Sequence, residues 1–195
     1  MRPVAADKYK KMKIYYTRRY NRMIEGRNMS RSLLMKVLTD YYGLSRETEI
    51  HTEERGRRYI DQRYGISFSI THTENFWFCS VSGRESGIDV ELLSRYVSDP
   101  ERLAGRFLTE QEKEYVLSGA DRNQIRERLI FLWTRKEAYL KCTGEGLYGL
   151  NRAPSVVGTP EGMDLFTCFQ EGFCFSVCTP CDTISEMPQC ICLDQ

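Results

Sequence analysis

The sequence lacks the features that would tie it to a membrane or a secretory route. In its 195 residues no run approaches the roughly 20 consecutive apolar residues of a membrane-spanning helix. Its first residues, Met1-Arg2-Pro3 and then Asp7 to Lys13, are charged where a secretory leader is apolar. A cytoplasmic protein with no membrane partner is therefore expected. No low-complexity tract or long linker interrupts the chain, so any two halves must pack closely. Composition is that of a globular domain, 41% hydrophobic and 28% charged, which excludes disorder, collagen and a disulfide mini-scaffold.

Net charge is only +1, which argues against a nucleic-acid partner, but the charge is unevenly spread. Residues 1–86 carry 17 Lys and Arg against 10 Asp and Glu, whereas residues 87–195 carry 11 against 17. A basic half joined to an acidic half suits an anionic ligand on one side and a cation on the other. Cysteine is the residue in excess. Six of the eight fall in the last 28 residues. Without a leader, free thiols are the expected state. Cys178-Thr179-Pro180-Cys181 and Cys190-Ile191-Cys192 have enough sulfur for a zinc tetrad. Cys174 and Cys178, however, sit in an alternating strand pattern where cysteine behaves as a small hydrophobe. No βαβ pattern surrounds the CxxC, so a thioredoxin-like role is not expected.

The periodicity predicts a helix over Ser30–Tyr42, with Leu33, Leu34, Val37, Leu38, Tyr41 and Tyr42 as its stripe and Gly43 as its end. Strands are expected at Ile66–Ile70 and Phe76–Val81, with Thr71-His72-Thr73-Glu74-Asn75 as the turn between them. A further short strand covers Gly87–Leu93. Thr109-Glu110-Gln111-Glu112 reads as a capping box opening a helix to about Leu117. A long helix follows from near Gln124 to Cys142 and stops at Gly144-Glu145-Gly146. Asp164–Gln170 and Phe173–Thr179 read as a hairpin around Glu171-Gly172, and Gln189–Leu193 as a last strand. Helices with antiparallel strands in each half indicate an α+β fold.

Three segments carry chemistry. In Gly87-Ile88-Asp89-Val90-Glu91 a strand would point Asp89 and Glu91 to one face and Ile88 and Val90 to the core. Paired carboxylates repel unless a cation lies between them, and a hard divalent ion such as Mg²⁺ relieves this. In the long helix, Leu129, Trp133, Glu137 and Lys141 form one i, i+4 row, so Glu137 continues an apolar stripe. An inward carboxylate needs a partner, and a metal shared with Asp89 and Glu91 supplies one. Lys141, one turn on, would approach a phosphate. Thr71-His72-Thr73, with Arg27, Arg31, Arg57 and Arg58 upstream, offers hydroxyl, imidazole and guanidinium groups for phosphate.

Gly87-Ile88-Asp89-Val90-Glu91, followed by Trp133-Thr134-Arg135-Lys136-Glu137-Ala138-Tyr139-Leu140-Lys141, resembles the signature pair of the 4′-phosphopantetheinyl transferases. Phe68-Ser69-Ile70-Thr71-His72-Thr73 resembles that family's F-N-I-S-H-S segment, and Arg106 to Glu112 its R-F-F-[ST]-x-x-E segment. Gly56-Arg57 sits where the surfactin-synthetase-activating type has Gly-Lys-Pro. The resemblance spans roughly residues 26–150. It departs at Arg58, which replaces the proline, at the Thr-His-Thr triplet, and in the cysteine-rich tail.

The resemblance implies transfer of the phosphopantetheine arm of coenzyme A to a serine of an apo acyl or peptidyl carrier protein. Mg²⁺ assists, and adenosine 3′,5′-bisphosphate is released. By position, Asp89, Glu91 and Glu137 would be the metal ligands and Lys141 would contact the attacked phosphate. Thr71 and His72 would hold coenzyme A phosphates, with Arg57 near the 3′-phosphate or adenine. Arg31 and Arg27 would add to that pocket. Glu137 or Glu91 would accept the serine proton, with Glu112 as an accessory base. The length matches the subtype in which two similar halves, residues 1–86 and 87–195, are related by a pseudo-two-fold axis in a monomer. Each half would pack a small antiparallel sheet on a long helix. Two other readings compete: a Mg²⁺-dependent nuclease and a non-catalytic relative that only docks carrier proteins.

Overall fold

A computed structural model describes residues 11–21, 26–95, 97–183 and 188–194. The side chain of Arg27 lies outside this set, as do residues 1–10. The fold is α+β. The first half runs β1 (Lys13–Thr17), α1 (Gly26–Tyr42), β2 (His51–Thr52), β3 (Arg58–Tyr59), β4 (Ser67–Thr73) and β5 (Phe76–Ser82). The second runs β6 (Gly87–Leu92), α2 (Pro100–Phe107), α3 (Glu110–Leu117), α4 (Arg122–Thr143), β7 (Met163–Gln170), β8 (Phe173–Pro180) and β9 (Gln189–Cys192).

One sheet has the order β4-β5-β1-β9 and the other β6-β8-β7, while β2 and β3 form a separate two-stranded ribbon. The connectivity repeats. In each half a strand leads to a long helix and then to a hairpin whose second strand pairs antiparallel with the first strand, β1 with β5 and β6 with β8. The chain then crosses back, because β9 lies parallel to β1 at the edge of the first sheet.

Three apolar clusters define the layers. Leu34, Val37 and Leu38 of α1 pack on Tyr15, Trp77 and Val81 of the first sheet. Ile14 and Phe78, from its opposite face, meet Ile88, Val90 and Val177 of the second sheet. Leu132, Ala138 and Cys142 of α4 cover the outer face of that sheet at Leu165 and Cys178. This explains why β1 shows no alternation: Ile14 and Tyr15 are both fully buried, one on each face of a covered sheet.

The structure corrects the expected turn at Thr71–Asn75. Thr71, His72 and Thr73 belong to β4, opposite Phe78, Trp77 and Phe76, and only Glu74-Asn75 turns, with Glu74 at φ 47°. Strands β1, β2 and β3 and helix α2 are additions to the expected elements. Among the described residues no helix is long and apolar enough to cross a membrane. All eight cysteines are free.

Candidate active site

The site forms where the edge strands β4 and β6 meet beneath the last turns of α4. Gly87 permits this approach. A Cβ there would stand 1.9 Å from the Ala138 carbonyl oxygen and 2.6 Å from the Cys142 amide nitrogen, so only glycine lets β6 lie against α4. Two residues on, Asp89 and Glu91 share the face that looks toward α4, while Ile88 and Val90 point into the layer between the sheets.

Side chains, and no backbone ladder, stitch β4 to β6. Ser69 Oγ accepts from the Ile88 amide at 3.2 Å, Thr71 Oγ1 donates to Asp89 Oδ1 at 2.8 Å, and Thr73 Oγ1 donates to Glu91 Oε2 at 3.5 Å. Lys141 Nζ donates to the same Asp89 Oδ1 at 2.7 Å and to the Ile88 carbonyl at 3.0 Å. Arg95 pairs with Glu91 Oε1. The second oxygen of Asp89, Oδ2, is buried and has no hydrogen-bond partner. An orphaned carboxylate oxygen away from water costs free energy and marks a place for a ligand.

Helix α4 contributes Glu137 and Lys141 from one row. Burial pushes the Glu137 carboxyl up to about 7; Lys141 opposes the rise, and Asp89 and Glu91 reinforce it. Burial and then the charge of Asp89 push Glu91 upward as well, against Arg95. The three acids thus feel one another in a desolvated corner. Among the described residues no three acidic, histidine or cysteine side chains stand close enough to share an ion as they lie. Asp89 and Glu91 are engaged instead by Lys141 and Arg95. In kind the donor set fits a hard divalent cation: three carboxylates, one with a bare buried oxygen.

One cavity opens from this corner and a second lies beyond it. The nearer, of ≈ 270 Å³, is lined by Glu137, Lys141, Ser69, Arg57, Arg58 and Gly144 among others. The farther, of ≈ 660 Å³, is lined by Arg58, Gly56, Ser30, Thr52, Tyr20 and His72. Gly56 and Arg58 border both, so the β2–β3 ribbon forms their shared rim. Arg57 pairs with Glu85 and rests on the left-handed Gly144 (φ 74°) that ends α4, where a Cβ would come within 3.3 Å of its Nη1. Arg58 reaches Ser30 Oγ at 3.4 Å, and Trp77 Nε1 donates to the same oxygen at 3.0 Å. Burial presses the Arg58 guanidinium downward, and the charge of exposed Arg31 adds to this. An anion beside the two would relieve it. The exposed His72 ring stacks on Tyr20, with centroids 5.4 Å apart.

The structure therefore gathers Asp89, Glu91, Glu137, Lys141 and Thr71 at one end and Arg57 along the near cavity. His72 borders the far cavity, and Arg31 acts on its Arg58. Thr71 gives its hydroxyl proton to Asp89. Glu112 is withdrawn as an accessory base. It is fully buried, with Oε2 taken by Lys136 Nζ at 2.6 Å and the Thr109 amide at 2.7 Å, and Oε1 by the Val156 amide at 2.9 Å. Consecutive residues of α4 serve three purposes. Arg135 holds the Val156 and Gly158 carbonyls, each at 2.6 Å, Lys136 ties α4 to α3, and Glu137 faces the cavity. Sequence reasoning overlooked Lys136, whose place between Leu132 and Leu140 on an i, i+4 apolar row was the available signal. Arg95, Ser30 and Tyr20 carried no comparable signal.

Residues 85–178 match the family model described as ACPS: 4′-phosphopantetheinyl transferase superfamily. The 4′-phosphopantetheinyl transferase HetI of Nostoc sp. is 35% identical over 161 residues, covering 80% of this chain and 65% of that protein. The 4′-phosphopantetheinyl transferase gsp of Aneurinibacillus migulanus is 31% identical over 117 residues, 60% of this chain and 47% of that one. The 4′-phosphopantetheinyl transferase Sfp of Bacillus subtilis is 26% identical over 116 residues, 59% and 50%. The chain thus spans less than two thirds of the length of each of these relatives. The family match leaves the nuclease reading without support. Strand β6 with its two carboxylates and helix α4 with Glu137 and Lys141 both lie inside the segment that matches the 4′-phosphopantetheinyl transferase superfamily model.

Proposed function

We propose that the chain is a 4′-phosphopantetheinyl transferase that moves the phosphopantetheine arm of coenzyme A onto a serine of an apo acyl or peptidyl carrier protein. Mg²⁺ assists and adenosine 3′,5′-bisphosphate leaves. The observation that carries this reading is the grouping of Asp89, Glu91, Glu137 and Lys141, with Glu137 and Lys141 lining a cavity that Arg57 and Arg58 also line. The relatives' printed names support the same activity.

The division of labour follows the charge. Asp89, Glu91 and Glu137 hold the metal, which when bound neutralises the pyrophosphate and stabilises charge that develops on it. Lys141 turns from Asp89 to the phosphate under attack. Arg57, Arg58, Arg31 and His72 bind the 3′-phosphate and nucleoside side of coenzyme A, where guanidinium groups pair bidentately with phosphate. Glu137 is the first candidate to accept the serine proton, and Glu91 is the second. Residues 1–86 supply the nucleotide side and 87–195 the acids, and the pair acts as a monomer. Eight free thiols suit a reducing cytoplasm.

The test is product release. Mixed with coenzyme A, Mg²⁺ and a panel of apo-carrier proteins, the chain should liberate adenosine 3′,5′-bisphosphate, measured by chromatography. Chelation should stop this and added Mg²⁺ or Mn²⁺ restore it. Release that ignores the chelator removes the metal from the account. Coenzyme A binding without release on any carrier supports the docking-only relative.

A further inference from the structure

We infer that Thr71 is a positioning residue for the metal-binding carboxylate Asp89, and not a phosphate donor. The inference rests on the proposed metal role of Asp89 and adds to it the group that aims its free oxygen.

The first observation is the hydrogen bond itself. Thr71 Oγ1 lies 2.8 Å from Asp89 Oδ1, and both residues are buried. A threonine hydroxyl has one proton to give. Spent on Asp89, it is not available to a phosphate oxygen, which at neutral pH needs a donor. His72, the next residue, alternates to the other face of β4, where it stacks on Tyr20 and borders the far cavity. The Thr-His pair is therefore split by the strand: the imidazole serves the ligand cavity and the hydroxyl serves the carboxylate.

The second observation is the asymmetry of Asp89. Oδ1 receives two donors, Thr71 Oγ1 and Lys141 Nζ, whereas Oδ2 is buried and receives none. A carboxylate fixed by one oxygen keeps the other oriented, as outer hydrogen-bond partners do for metal ligands generally. Of the two donors, Lys141 is the one the proposed reaction calls away to phosphate. Thr71 is held on β4, its Cα directly opposite Phe78 in the sheet, and does not depend on substrate.

The third is repetition along the strand. Ser69, Thr71 and Thr73 lie at i, i+2, i+4 on β4 and meet the Ile88 amide, Asp89 and Glu91 on β6. Each hydroxyl fixes one position of the acidic strand, so the polar run in β4 is a register device for the carboxylates. A valine in place of Thr71 would keep the strand and remove the donor.

The experiment titrates Mn²⁺ into the full chain without coenzyme A, by calorimetry and electron paramagnetic resonance, for wild type, Thr71→Val and Thr71→Ser. In parallel, coenzyme A binding is measured in excess chelator, and melting curves confirm folding. Thr71→Val should weaken Mn²⁺ binding by about 10 to 100-fold, the usual cost of losing an outer partner. Thr71→Ser should stay within about threefold of wild type, the range left when the donor is kept. Coenzyme A affinity in chelator should be the same in all three. Wild-type Mn²⁺ affinity in Thr71→Val overturns the inference, and so does a loss of coenzyme A affinity in chelator. If the wild type itself binds no Mn²⁺, the metal reading of Asp89 fails together with it, an outcome visible before any variant is compared. Should Thr71→Val not fold, Thr71→Ala, which adds no bulk, takes its place.

Discussion

Lys136 Nζ lies 2.6 Å from Glu112 Oε2 with neither side chain exposed, and this ion pair fastens α3 to α4 one residue before Glu137, which reaches the site. Its desolvation is met by a full set of partners: Lys136 also donates to the Phe107 carbonyl at 3.0 Å, and Glu112 accepts from Thr109 and Val156. Removing one member leaves the other charged and unmatched in the core. Lys136→Ala should therefore cost about 3–5 kcal/mol of stability. Lys136→Met with Glu112→Gln should recover part of it, because no charge is then left unmatched, although the glutamine oxygen can accept from only one of the two amides. Denaturant melts of the two variants check this; equal losses would mean that the pair is not the source.

Gly87 sets how close β6 comes to α4, and so where the two carboxylates stand relative to Glu137 and Lys141. Gly87→Ala drives a methyl group against backbone and should cost about 3 kcal/mol or more, with loss of transfer even where the chain stays folded. Gly105 in α2 is the control. A Cβ there meets nothing within 4 Å, so Gly105→Ala should leave transfer intact and add up to about 1 kcal/mol of helix stability.

Glu137 makes the metal-free chain pH-sensitive. Its carboxyl is raised from 4.5 to about 7 in the fold, so the native state holds a proton that the unfolded state has lost between those values. The group's contribution is fully present below pH 4.5 and is lost as pH rises toward 7. In chelator, Glu137→Gln should thus match wild type near pH 4.5 and exceed it by roughly 3 kcal/mol at pH 8. Thermal melts across that range measure the gap. A constant gap would show that Glu137 is not desolvated.

Lys141 holds Asp89 in the ligand-free site and is assigned to the phosphate during reaction. Lys141→Ala should lower kcat by about a hundredfold, as for other single groups that meet charge in the transition state, while coenzyme A binding changes far less. A change in KM alone would make Lys141 a binding group only.

The parts of the site that were legible in the sequence rest on local periods. Asp89 and Glu91 follow from i, i+2 on a strand, and Glu137 and Lys141 from i, i+4 on a helix. What was illegible depends on partners far along the chain. β1 is five residues with both faces covered, so no alternation marks it, and its neighbour β9 comes from the other end of the sequence. Thr71-His72-Thr73 looked like a turn because it is polar. The polarity belongs to an edge strand that joins its neighbour through hydroxyls. Glu112 matches an accessory base only by resemblance, and Lys136, 24 residues away, closes over it. The Arg58 that breaks the expected Gly-Lys-Pro pattern proves to border both cavities.

Intact-mass spectrometry of apo-carrier proteins incubated with the chain, coenzyme A and Mg²⁺ tests the central claim most directly. The account predicts a gain of about 340 Da on the carrier serine, the mass of one transferred phosphopantetheine arm. It also predicts no gain with Asp89→Asn or Glu137→Gln protein. A carrier panel left unchanged by wild-type protein, or modified equally well by either variant, would contradict it.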